Sequence, residues 1–205
     1  MTRPRLATVA ATLLLALFAG TLPACQTVLP GYGAATVRSA GELPAGRFDT
    51  AVYRHDGEHR LTAVLLRGEP DQPRQAMIIR MFWRPSASGL PRDREATNAS
   101  IRYVVFGPGK DASVYSGAGF VMPAGRSGKS RIRAELRQAV LEMTDRSEGE
   151  TALPLQAHMT ATFSAELDEA AVGRLLRRLD AAVTDRLGYP RLVRHEPGTE
   201  TPGRF

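Results

Sequence analysis

The sequence predicts an α+β fold: an antiparallel β-sheet of about seven strands with one C-terminal amphipathic α-helix packed on it. Seven segments between residues 48 and 167 are rich in β-forming residues and are separated by turns rich in glycine and proline. One segment between Asp168 and Gly188 then repeats apolar residues at helical spacing. Strands followed by a single helix indicate a sheet that is curled or folded into a sandwich, since doubly wound folds alternate the two.

The predicted strands cover residues 48–55, 60–67, 75–83, 101–106, 112–122, 131–140 and 155–167. Residues 75–83 carry apolar side chains on both faces, which is typical of a central, covered strand. Gly117 and Gly119 lie on one face of the fifth strand and predict a bend or the close approach of another element. The last two strands alternate strictly, so we expect each to have one dry and one wet face, with Val140 on the dry face beside Leu136.

The predicted helix begins after Asp168, an N-cap residue, and ends at Gly188, shortly before Pro190. Six large apolar residues recur on one stripe: Val172, Leu175, Leu176, Leu179, Val183 and Leu187. Burying each of them stabilises the fold by about 1.5–3 kcal/mol before entropy is counted. We therefore expect the stripe to pack on the dry face of the sheet.

The first 25 residues have the parts of a secretory signal. Arg3 and Arg5 precede a short apolar segment, residues 6–18, and the region ends in Leu22-Pro23-Ala24-Cys25. This ending resembles the lipobox of bacterial lipoproteins, with Pro23 departing from the usual small residue. The resemblance implies that Cys25 becomes the first residue of the mature chain and carries acyl chains such as palmitate. An ordinary signal peptide cleaved near Ala24 is the alternative.

These features predict the organisation of the whole chain. Residues 1–24 form the signal peptide, residues 25–46 the lipidated cysteine and a flexible tether, residues 47–195 a single α+β domain, and residues 196–205 a disordered tail. Cys25 is the only cysteine, so the mature chain forms no internal disulfide. Gln26, by resemblance, points to the outer membrane of the cell envelope if the organism is Gram-negative.

The charge indicates the class of partner. The chain carries a formal charge of +6, and removal of the signal, with its two arginines, leaves +4. The expected partners are the membrane, through the lipid on Cys25, and an envelope protein. Anionic lipid headgroups and acidic glycans suit a basic surface. Nucleic acid is not an expected partner of an exported protein, and no cofactor is predicted.

One surface stands out as a candidate anionic-ligand patch. Arginines on the wet face of residues 131–140 are expected to lie across from polar residues of the last strand, and the candidate patch consists of Arg131, Arg133, Arg137, His158 and Thr160. Guanidinium groups pair with carboxylate or phosphate in a bidentate way. The alternative is a simply solvated face, the default for a one-sided antiparallel sheet.

Other motifs carry no predicted chemistry. Gly128-Lys129-Ser130 lacks the first glycine of a phosphate-binding loop, because Pro123 stands there, and a strand rather than a helix follows. His55 and His59 flank Asp56-Gly57, which predicts a two-residue hairpin turn that sends the two rings to opposite faces. No metal site is predicted, and the chain lacks the Gly-x-Ser-x-Gly elbow. Three functions stay open: a non-enzymatic partner-binding or structural lipoprotein, a small-ligand or lipid-binding lipoprotein, and a hydrolase without a recognisable motif.

Overall fold

A computed structural model describes residues 33–40, 43–57, 59–85, 96–124, 130–147 and 153–192. In chain order the elements are β1 (Ala35–Ala40), β2 (Gly46–Phe48), β3 (Thr50–His55), β4 (Leu61–Glu69), β5 (Gln72–Met81), β6 (Ala99–Phe106), β7 (Ala112–Ala124), β8 (Arg131–Arg146), β9 (Gln156–Leu167) and α1 (Glu169–Leu187). The prediction of an α+β fold with a curled sheet and one C-terminal helix is confirmed. Residues 131–140 form a strand, as their alternation predicted.

The strands form one sheet that closes into a seven-strand barrel. The order is β2-β1-β9-β3-β4-β5-β6-β7-β8, and β8 also pairs with β9. All pairs are antiparallel except β3 with β9, which share only two parallel positions, Val52 with Glu166 and Tyr53 with Leu167. Along the same edge of β9, residues 158–163 pair with β1 instead. β1 and β2 therefore extend the sheet at the seam of the barrel.

The barrel has two apolar cores, one inside and one outside. The inner core is filled by inward side chains of all nine strands, with Tyr53, Tyr103 and Tyr115 among its largest fully buried members. The outer core lies between α1 and the outward faces of β3 to β7. Such double burial explains why β4 and β5 are apolar on both faces, and it confirms the prediction that residues 75–83 form a covered strand over most of their length.

The position of the helix corrects one prediction. The dry faces of β8 and β9 point into the barrel, so α1 does not pack on them. It packs instead on the opposite side of the sheet, because only β3 to β7 offer apolar residues outward, such as Val64, Ile78 and Val104. The predicted stripe is otherwise confirmed, since five of its six residues are buried and Leu187 is partly buried.

The ends of α1 follow their predicted caps. The Asp168 carboxylate accepts a hydrogen bond of 2.7 Å from the backbone N–H of Ala171. Gly188 adopts φ +82°, and its N–H donates to the Thr184 carbonyl at 2.8 Å. None of the helical segments in the described part of the chain is long and apolar enough to cross a membrane.

The folded part begins earlier than predicted, so the tether prediction for residues 26–46 is wrong for Ala35–Ala40. These residues pair with β9 at six positions and with β2 at three. Ala35 and Val37 are buried in the inner core. The signal, the lipobox cysteine Cys25 and residues 26–32 of the predicted tether lie outside the described residues, as do residues 193–205.

The hairpin between β3 and β4 also differs from its prediction. His55 pairs with Leu61, which leaves a five-residue loop where a two-residue turn was predicted. The Asp56 carboxylate accepts hydrogen bonds from Arg54 and from the hydroxyl of Thr62, so the aspartate is held by its side chain rather than by a tight turn.

Gly117 and Gly119 confirm the predicted close approach on β7. A Cβ atom added to Gly117 would lie 1.9 Å from the backbone oxygen of Val140 on β8. A Cβ atom on Gly119 would lie 2.9 Å from side-chain carbons of Ile101 and Leu136. Gly117 therefore requires glycine, whereas at Gly119 a Cβ atom would displace the flexible ends of two side chains.

Candidate functional site

The helix leaves one side of the barrel uncovered. This side is the outward face of β2, β1, β9, β8 and the second half of β7, and we call it the bare wall. Its outward side chains include Arg47 on β2, Thr36 and Arg38 on β1, His158, Thr160, Thr162, Ser164 and Glu166 on β9, Arg131, Arg133, Glu135, Arg137 and Val140 on β8, and Ala118, Phe120 and Met122 on β7. The strand register arranges them in rows across the strands.

All five residues of the predicted anionic-ligand patch lie on the bare wall. Arg131 is the register partner of Glu166, and Arg133 is the register partner of Ser164. His158 lies across from Val140, and Thr160 lies across from Arg38. The patch is larger than the sequence indicated, because Arg38 falls in the predicted tether and Arg47 just before the first predicted strand, whereas both lie on strands of the sheet.

The bare wall is strongly basic. Over β1, β2, β9 and residues 131–142 of β8 it carries five arginines against three carboxylates, those of Glu135, Glu142 and Glu166. Arg131 pairs with Glu166, and Arg137 Nη2 lies 2.8 Å from Glu135 Oε2. The hydrogen bond from Arg137 lowers the pKa of the Glu135 carboxyl, and the same bond raises the pKa of Arg137. The other three arginines have no ion-pair partner among the described residues: Arg38, Arg47 and Arg133.

A bulge in β8 interrupts the wall. Leu136 pairs with Ala161 and Ala139 pairs with Met159, so β8 carries one more residue than β9 between these points. Gln138, within the bulge, has φ +46°, the only positive φ of a non-glycine residue in the described ranges. A bulge re-aims the side chains that follow it. The prediction that Val140 lies on the dry face is therefore wrong, since the extra residue turns it outward and leaves it 38% exposed.

The bulge forms one side of a groove of about 820 Å³. Arg38, Arg137, His158 and Thr160 line it, and they bring together three of the five predicted patch residues and one arginine from β1. Its apolar lining comes from Ala118, Phe120, Val140 and Met159. The groove thus combines apolar and cationic side chains.

An aromatic contact adjoins the groove. The ring of Trp83 meets the ring of Phe120 edge-on, with centroids 6.0 Å apart. Trp83 is 38% exposed and the neighbouring Phe82 is 47% exposed. Trp83 thus places a partly exposed aromatic ring next to Phe120, which lines the groove.

A second depression, of about 690 Å³, lies on the same wall near Arg133 and Ser164. Arg47, Arg133 and Arg137 line it together with Met122 and Pro123. It sits where the chain enters the sheet, since the Ala34 carbonyl accepts a 2.9 Å hydrogen bond from the Ser164 N–H. Arg137 borders both depressions, so they form one continuous basic surface.

Asn98 follows Ala96 and Thr97, which line the groove. The structural role of Asn98 was not predicted from the sequence. Its side chain is fully buried. Its Oδ1 accepts from the Val121 N–H at 2.6 Å, and its amide nitrogen donates to the carbonyls of Val121 at 2.8 Å and Trp83 at 3.3 Å. A single asparagine therefore ties the end of β5 to β7, and the local sequence gives no pattern that signals it.

The two histidines at the β3–β4 loop have different surroundings. His59 is exposed, while His55 packs edge-on against Tyr53 at 5.3 Å. The described ranges contain no cluster of three or more histidine, cysteine, aspartate or glutamate residues arranged to hold a metal ion.

Comparison with known protein families, curated proteins and solved structures finds no match to this chain.

Proposed function

We propose that the protein is a membrane-anchored envelope lipoprotein that binds a partner and is not an enzyme, with the bare wall as its binding surface. One observation carries this proposal. The helix covers the outward face of β3 to β7, whereas the bare wall stays uncovered and combines net positive charge with exposed apolar residues. On the bare wall, Val140 and the Trp83–Phe120 contact place apolar side chains among arginines, a combination suited to contact with another molecule.

The anchor supports this arrangement. The proposed lipidated residue, Cys25, precedes Gly33 by eight residues, a length that reaches about 28 Å when fully extended. The chain joins the sheet beside Ser164, next to Arg133 on the bare wall. A lipid on Cys25 would thus keep the basic end of the wall close to the headgroups of its membrane, in the envelope and, if the organism is Gram-negative, at the outer membrane.

A second candidate function is small-ligand or lipid binding, which the groove beside the β8 bulge favours. Inward side chains fill the barrel, so a ligand of this protein would bind on the outer wall rather than in the lumen. The groove volume of about 820 Å³ is within the range of small-molecule sites, roughly 300–1,000 Å³.

The anchor is tested by Cys25→Ser in the producing organism. We expect the wild-type chain to fractionate with membranes and to show a lipid mass at its new N-terminus, and the variant to lose both. A variant that stays membrane-bound and unprocessed, or a wild-type chain without a lipid mass, would contradict the anchor.

The binding surface is tested by two double variants matched in charge. Arg47→Gln with Arg133→Gln neutralises the bare wall, and Arg174→Gln with Arg177→Gln neutralises exposed positions of α1. After crosslinking in intact cells, we expect a reproducible partner of the wild type to be lost only from the wall variant. Equal recovery from both variants would show that the wall is not the surface.

A further inference from the structure

We infer that the groove beside the β8 bulge binds a single-chain anionic amphiphile, such as a fatty acid, with its head on Arg38 and Arg137 and its chain on Phe120 and Val140. The inference rests on the proposed function only in placing binding on the bare wall. It does not depend on the lipid at Cys25.

The head of the ligand is recognised by two guanidinium groups on either side of β9. Arg38 and Thr160 are register partners on β1 and β9, and Arg137 leaves β8 at the bulge on the other side of β9. Both arginines line the same groove. Arg38 has no ion-pair partner among the described residues, and Arg137 uses Nη2 for Glu135, which leaves other N–H donors of its guanidinium. Carboxylate and phosphate are the anions that this donor geometry fits.

The chain of the ligand is recognised by an apolar strip. Phe120 and Val140 project outward from neighbouring strands, which lie roughly 4.8 Å apart. Ala118, the register partner of Val140, joins them, so that the three side chains offer an apolar strip along which an acyl chain can lie. The polar row of β9 flanks it, with His158 directly across from Val140. A ligand with an anionic head and one apolar chain therefore matches both parts of the groove.

The backbone supports a binding role for this place. Gln138 holds a left-handed conformation that costs free energy in a residue other than glycine. The bulge that contains it turns Val140 outward, so that the valine side chain is not buried in the inner core and does not contribute to its packing. Both features are explained if the groove buries Val140 under a ligand.

Trp83, the only tryptophan of the chain, reports on the groove through its contact with Phe120. The full chain is titrated with laurate in the presence of nanodiscs of zwitterionic lipid, and nanodiscs alone measure partition of laurate into the lipid. We expect a saturable change in Trp83 fluorescence. Monolaurin, which has the same chain and a neutral head, should bind at least tenfold more weakly, and acetate should give no change. Equilibrium dialysis with labelled laurate counts bound ligand independently of Trp83.

Three variants locate the site. Arg38→Gln with Arg137→Gln should weaken laurate binding at least tenfold, and Val140→Ser should weaken it severalfold. Arg177→Gln, an exposed arginine of α1, is the matched control and should leave binding unchanged. Since these side chains are exposed, we expect all variants to keep the wild-type circular dichroism spectrum.

Three results would overturn the inference. They are equal binding of monolaurin and laurate, unchanged laurate binding in the double variant, and a response only to nanodiscs that contain anionic lipid, which would indicate docking on a membrane surface. A failure here with partner loss in the Arg47/Arg133 variant would remove the inference and leave the proposed function standing. If laurate binds as expected but the Arg47/Arg133 variant keeps its crosslinked partner, the inference stands and the proposed partner-binding function is removed.

Discussion

Asn98→Ala is predicted to be among the most damaging single substitutions near the groove. The asparagine side chain makes three hydrogen bonds, two to the backbone of Val121 and one to the carbonyl of Trp83. Alanine would remove all three and leave the N–H and the carbonyl of Val121 without this partner in a fully buried place. The segment after β5 would stay joined to β7 only through the backbone of residue 98, which bonds to Phe82 and Gly119.

The magnitude follows from those bonds. Each hydrogen bond contributes about 0.5–1.5 kcal/mol net, and a buried group left unsatisfied costs about 1–3 kcal/mol. We therefore expect the free energy of unfolding to fall by about 3 kcal/mol. For a domain of this size, that loss lowers the melting temperature by about 6–12 °C, at about 2–4 °C per kcal/mol.

The assay is thermal unfolding of the full chain, followed by circular dichroism and by the fluorescence of Trp83. Ser100→Ala is the matched control, because Ser100 lies two residues further along and is exposed. The control should change stability by no more than about 0.5 kcal/mol. A loss below about 1 kcal/mol for Asn98→Ala would refute the role assigned to its hydrogen bonds.

Three further predictions concern the frame of the barrel. Gly117→Ala should destabilise the fold by several kcal/mol, since its Cβ would overlap a backbone oxygen of β8. Gly109→Ala, where the Cβ meets nothing within 4 Å and only the positive φ of +69° is unfavourable, should cost about 1 kcal/mol when both variants are unfolded in urea. Asp168→Ala should lower stability by about 1 kcal/mol through loss of the helix cap, and an unchanged urea midpoint would argue against the cap. Burial raises the pKa of the Tyr53 and Tyr103 phenols, because the charged phenolate is poorly solvated inside the barrel. The stability that comes from burying the neutral phenols is therefore complete below the ordinary pKa near 10 and is lost as pH rises through the raised pKa values. Ultraviolet titration should therefore show both phenols ionising late, together with unfolding, and early, reversible ionisation of all tyrosines would contradict this.

The sequence predicts those elements whose residue pattern is local and regular. β8, β9 and α1 show clean periodicity, and the caps at Asp168 and Gly188 mark the helix ends. β1 is six residues long and lies in a region rich in glycine and proline, so its alternation was read as part of a tether. Val140 was placed on the wrong face because a bulge, which shifts the period by one residue, has no clear sequence signal.

The closure of the barrel and the extent of the wall depend on long-range pairing. Arg137, His158 and Thr160 could be assigned to one polar face from β8 and β9 alone. Arg38 joins them only because β1 pairs with β9, which no local pattern reveals. The side of the sheet on which α1 packs also depends on long-range structure. The apolar stripe of α1 packs on the outward apolar residues of β3 to β7, because the dry faces of β8 and β9 are already buried inside the barrel.

The central claim, that the bare wall is the binding surface, is tested most directly by photo-crosslinking from single positions in living cells. A photoreactive residue is placed at Thr162, in the middle of the wall, or at Ala181, exposed on α1. We predict a discrete crosslinked product from position 162 that is absent from position 181 and is lost when Arg47 and Arg133 are neutralised. Products of the same size and yield from both positions, or from position 181 alone, would contradict the account.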